Sequence, residues 1–187
     1  VRGGKMSEEK ENKLKEGRII FLNGRIDEKK AKEINEKLLL LEWESPIQDI
    51  YFYIDSYGGY VDSTFSIIDV MNLISCDVRT ICIGKAMSGA AMVLSAGTKG
   101  KRFITPNSRV MIHQVWSFSF GSASEIEIEA KEIKRLQQKV ETLLAKTTGQ
   151  KLSQIRKDLT YLRYMTAKEA VDYGLVDAII NRRERPK

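Results

Sequence analysis

Four consecutive apolar residues, Ile19, Ile20, Phe21 and Leu22, end at Asn23-Gly24 and predict a short buried strand with its turn. Asp27 then stands where a helix N-cap is wanted. Ala31, Ile34, Leu38 and Leu41 follow at helical spacing, and Ser45-Pro46 stops the run. Residues 50–54 alternate as a strand does, Tyr57-Gly58-Gly59 turns the chain, and Phe65, Ile68, Met71 and Ile74 mark a second helix. The grammar repeats: a strand at 78–83, a breaker at Gly84, and a helix of small residues from Ser88 to Ala96 that ends at Gly97. Two strand-like stretches, 102–104 and 109–114, precede a long amphipathic helix over about 124–145, with Ile126, Ile133, Leu136, Val140 and Leu144 on its apolar side. Thr166 caps one more helix, Gly174 ends it, and residues 175–180 close the fold as a strand. Strands alternating with helices of this length predict an α/β protein with parallel pairing through right-handed crossovers.

Composition narrows the class. The 187 residues, 42% hydrophobic and 30% charged, suit one globular domain over 16–181, flanked by a polar segment at 1–15 expected to be mobile and a basic tail at 182–187. The net charge is +6, but outside Arg182, Arg183, Arg185 and Lys187 the basic residues are interleaved with acidic ones, which speaks against a nucleic-acid partner. Cys76 and Cys82 have neither disulfide-framework nor zinc spacing, and no apolar run reaches the roughly 18 residues of a membrane span. A cytoplasmic protein without membrane, metal or cofactor is expected.

Three features can carry chemistry. Ser88 lies at a strand-to-helix corner followed by Gly89, Ala90 and Ala91. There it can be an N-cap, or a nucleophile beside a Gly89 amide free to donate to an oxyanion. His113 is the chain's single histidine, so any Ser/His mechanism within the subunit must use it; the alternative is a structural residue on the face of Met111. Gly58-Gly59 at the carboxyl end of a strand is a turn requiring positive φ, or brings the Gly59 amide to the sheet edge where α/β proteins bind ligands.

The runs Tyr51-Phe-Tyr-Ile-Asp-Ser-Tyr-Gly-Gly59, Thr80-Ile-Cys-Ile-Gly-Lys-Ala-Met-Ser88, Gly97-Thr-Lys-Gly-Lys-Arg102, Pro106-Asn-Ser-Arg-Val-Met-Ile-His-Gln114 and Glu169-Ala-Val-Asp-Tyr-Gly-Leu-Val-Asp177 together resemble the ClpP peptidases, the proteolytic subunits of Clp proteases. The resemblance spans residues 16–180. It implies a ClpP/crotonase-like fold of repeated β-β-α units with a protruding helical handle. It also implies stacked heptameric rings, and serine endopeptidase chemistry on unfolded polypeptides delivered by an AAA+ unfoldase ATPase. Motif by motif, Ser88 matches the nucleophile, His113 the base, and Gly59 and Gly89 the oxyanion donors.

The departures define the alternatives. The family's third catalytic residue is an aspartate, and Leu162 stands at its position; Asp158, one helical turn earlier, is the nearby substitute. Val115-Trp116-Ser117-Phe118-Ser119-Phe120 replaces a segment that is often proline- and glycine-rich, and residues 5–15 lack the family's axial-pore pattern. These differences admit a weakly active or regulatory subunit that completes a mixed barrel with a competent ClpP paralogue. A crotonase-type acyl-CoA enzyme shares the fold, but such chains are generally longer and do not need this serine and histidine in these motifs.

Overall fold

The computed structural model describes residues 12–180. Of the segment 1–15 expected to be mobile, residues 12–15 are helical and 1–11 lie outside the described residues, as does the basic tail. Strand β1 (Ile19–Ile26) is followed by α1 (Glu28–Glu44), β2 (Ile50–Gly59), α2 (Val61–Leu73), β3 (Val78–Met87) and α3 (Gly89–Ser95). Then come β4 (Arg102–Ile104), β5 (Arg109–Ile112), α4 (Ala123–Thr148), α5 (Leu152–Leu159), β6 (Arg163–Thr166), α6 (Ala167–Tyr173) and β7 (Ala178–Ile179). Asp27 caps α1 through the Lys30 amide, and the four residues picked out by helical spacing are the four it buries. Capping boxes open α4 at Ser122 and α6 at Thr166, and both helices end on glycines in left-handed conformation, Gly149 and Gly174. The fold is α/β, as the chain's pattern predicted.

The sheet runs β1-β2-β3-β4-β7, all parallel. Strand β3 is forked: Thr80 to Cys82 pair with β4, and Lys85 to Met87 pair with β5, with Gly84 at φ 78° between the branches. Beyond β5 lies β6, antiparallel, which exclusively parallel pairing did not foresee. Two further departures bear on function. Strand β1 continues past Asn23 through Gly24 to Ile26, opposite a bulge at Ser56 and Tyr57 of β2, and β5 ends at Ile112, so His113 stands just past the strand. The core sits under the parallel strands, where the fully buried α3 is enclosed. The fully buried Arg102 is held there by Asp177 and by the carbonyls of Ser95 and Thr147.

Candidate active site

Ser88 follows β3 directly and begins α3, so the chain must reverse within one residue. It does so with Ser88 at φ 55° and ψ −125°, a conformation that disfavours residues with a Cβ by about 1–3 kcal/mol. The reading of Ser88 as a simple cap fails on one observation: its side chain makes no capping hydrogen bond. What holds the strained turn is backbone. The Ser88 amide donates to the Met111 carbonyl at 2.8 Å, and the Ser88 carbonyl accepts from the amides of Ala91 and Met92. The hydroxyl has no hydrogen-bond partner among the described residues.

Glycines let the neighbouring chains close in. A Cβ on Gly58, at φ 90°, would lie 2.5 Å from the Met87 carbonyl oxygen and 2.8 Å from the Ser88 Cβ. One on Gly59 would overlap the Ile26 backbone, and one on Gly89 the Thr64 hydroxyl. The carboxyl end of β2, the corner after β3 and the start of α3 therefore pack backbone to backbone. The Gly89 amide, in the first turn of α3, has no carbonyl within its own helix to bond.

His113 arrives from the other side. The Ser88-to-Met111 bond fixes Ser88 against the strand two residues before it. After His113 the chain is clamped twice, the Gln114 amide donating to the Leu159 carbonyl and the Val115 amide to the Gln137 side chain of α4. Gly59, Ser88, Gly89 and His113 thus line one cleft of about 450 Å³, whose apolar wall includes Met92, Met111, Val140 and Leu144. Trp116, from the segment that departs from the family pattern, lines its edge and is 80% exposed.

The acidic candidates lie elsewhere. The β5–β6 register pairs Ile112 with Arg163, and one further step would set Leu162 opposite His113. Leu162 is 60% exposed and does not line the cleft. The Asp158 side chain is 7% exposed and its oxygens are taken by Arg163, by Gln154 at 2.9 Å and by the Tyr173 hydroxyl at 2.8 Å. Burial would raise its carboxyl, but the Gln154 and Tyr173 hydrogen bonds and the Arg163 charge outweigh this and hold it below its ordinary range. Tyr173 is correspondingly pushed up, first by burial and then by Asp158. Asp158 is a joint between α5, β6 and α6, and neither it nor another acid hydrogen-bonds His113 among the described residues.

Sequence reasoning did not bring Val140 and Leu144 of α4, Thr64 of α2 or Arg25 of β1 to the site, although all line the cleft. A signal for Arg25 existed: Ile26 keeps the parity of the buried Ile20 and Leu22, so Gly24 is a strand position rather than the strand's end.

This arrangement, a strained serine at a strand-to-helix corner, paired glycines and a histidine just past the end of the neighbouring strand, has the parts of an acyl-transfer site. A model of the Clp protease family matches residues 2–183, and the chain belongs to that family, whose members are ClpP-like serine peptidases. The family generally forms oligomeric barrels with ATPase partners. No helix among the described residues is long and apolar enough to cross a membrane.

Proposed function

We propose that this chain is a serine endopeptidase subunit of a self-compartmentalised barrel, cleaving unfolded polypeptides by a Ser88–His113 mechanism in which Leu162 replaces the third, acidic residue. The convergence of Ser88, His113, Gly59 and Gly89 on one cleft supports this most directly. Ser88 Oγ attacks the scissile carbonyl, and His113 takes the serine proton and returns it to the leaving amine. The Gly59 and Gly89 amides receive the oxyanion; water then releases the acyl group by the same steps. Two stacked heptamers form the barrel, and an AAA+ ATPase feeds it. A fluorophosphonate probe should label Ser88, and purified protein should hydrolyse a fluorogenic peptide that Ser88→Ala leaves intact. Absence of labelling in assembled protein would remove Ser88 from the mechanism.

The surroundings of His113 favour a second reading. With Leu162 at the acidic position and Asp158 committed to Arg163, Gln154 and Tyr173, no carboxylate of the described residues fixes the His113 tautomer. Loss of that partner lowers turnover on the order of 10⁴-fold in serine proteases. The subunit would then act mainly within a mixed barrel beside a competent ClpP paralogue. Scant labelling of Ser88, with higher activity of the paralogue in the mixture than alone, selects this reading.

A further inference from the structure

The cleft has one permanently charged wall. Among the described residues that line it, Arg25 alone carries a fixed charge, and no carboxylate of the described residues lies within ion-pair distance of its guanidinium. The group stands over the Tyr60 ring, 4.6 Å from its centroid. The contrast with Lys85 at the same end of the sheet is informative. Lys85 is neutralised by Asp55 at 2.7 Å while covering the Tyr57 ring, whereas Arg25 keeps its charge uncompensated.

The backbone of Arg25 is fixed on both sides. Across the β2 bulge opposite Gly24 the pairing passes from Asn23–Asp55 to Arg25–Gly58. The buried Ser56 hydroxyl donates to the Gly24 carbonyl at 2.5 Å and accepts the Gly58 amide at 3.0 Å, and the Ile26 carbonyl accepts the Tyr60 amide at 2.8 Å. Gly58 in turn abuts the Ser88 Cβ. Arg25 is therefore one strand spacing, about 4.8 Å, from a residue in contact with the serine. We propose that Arg25 determines specificity by binding the carboxylate of an Asp or Glu side chain in the substrate polypeptide, within about three residues of the bond over Ser88. The proposal deepens the endopeptidase reading and rests on it for the position of the scissile bond. A guanidinium can grip a carboxylate with two parallel hydrogen bonds, and the Tyr60 face restricts its rotamers.

The test measures binding apart from catalysis. Rhodamine-labelled, C-terminally amidated peptides differing only by Glu or Gln, scanned along the sequence, are titrated by anisotropy into assembled Ser88→Ala protein. At one position Glu should bind about three- to tenfold tighter than Gln, less so at high salt. Arg25→Gln should abolish the difference, and Arg25→Lys should retain part of it, with circular dichroism and ring size checked in each. Equal affinities at every position, or a Glu preference that survives Arg25→Gln, overturns the proposal. So does a preference that appears only for the free C-terminal acid, since the terminus would then be the ligand. Fluorophosphonate labelling of the parent separates the two claims. A Glu preference without labelling upholds Arg25 and defeats the serine mechanism, whereas labelling without a preference does the reverse.

Discussion

At residue 88 two demands conflict, because the backbone conformation favours glycine and the proposed chemistry requires a hydroxyl. Ser88→Ala keeps the strain and loses only the hydroxyl, and with no cap bond to break it should change stability by less than about 0.5 kcal/mol. Ser88→Gly relieves the strain and should be more stable than Ser88→Ala by about 1 kcal/mol or more, read as the difference in denaturation midpoints. Equal midpoints would mean that the turn at Ser88 is unstrained. Residue 162 offers the opposite manipulation. Leu162 is exposed, so an aspartate there keeps most of its hydration and stays ionised at neutral pH. If it reaches the His113 ring it supplies the absent counter-charge, and Leu162→Asp should raise kcat/KM for a short fluorogenic peptide at pH 7–8 by at least tenfold. Unchanged activity in correctly assembled protein would show that something else orients His113 or that assembly limits turnover.

Among the elements, the closing pair of strands β4 and β7 depends on one buried ion pair. The Arg102 guanidinium meets Asp177 at 2.6 and 3.0 Å, and the Arg102 amide donates to the same carboxylate. Burial would raise the Asp177 carboxyl, but these bonds outweigh it and hold the group below its ordinary value. Asp158 is lowered in the same sense. Both groups therefore contribute stability that is complete above their unfolded pKa near 3.9 and is lost as pH falls through their lower folded values. Acid unfolding should set in below about pH 4. Asp177→Asn leaves Arg102 buried without its counter-charge and should lower stability by about 3 kcal/mol at pH 7, measured by urea unfolding, while flattening the acid limb. Legibility in the sequence followed how much of an element's burial is local. Helix α1 was readable because Ala31, Ile34, Leu38 and Leu41 place its buried face at regular spacing. Strand β6 was not, since Met165 is its one buried residue and its conformation is imposed by β5. Helix α5 buries only Ile155 and Leu159 and has no side-chain cap, so its signal was equally thin. At the site, Ser88, Gly89 and Gly59 were marked by the small residues that close approach requires. Arg25 was hidden by a glycine that reads as a strand end but lies within β1.

For the whole molecule, α4 is the element that reaches furthest. Its 26 residues span about 39 Å; the first turns are exposed, with Ile126 and Ile128 facing outward, while Val140 and Leu144 near the other end wall the cleft. If ring stacking covers the outer half, Ile126→Glu combined with Ile128→Glu should shift the assembled mass toward single rings in light scattering, with the subunit fold unchanged by circular dichroism. A mass unaltered by both charges would place the inter-ring contact elsewhere. The forked β3 has a different bearing, on the order in which the chain is made. Ser88 and the strand leading to His113 emerge from the ribosome well before β6 and β7, the strands that clip the outer edges of the two branches. A nascent chain ended at Leu159 holds both proposed catalytic residues but lacks β6, which pairs with β5, so it should not react with fluorophosphonate while the 187-residue chain does. That outcome would tie reactivity at Ser88 to the synthesis of β6 and β7.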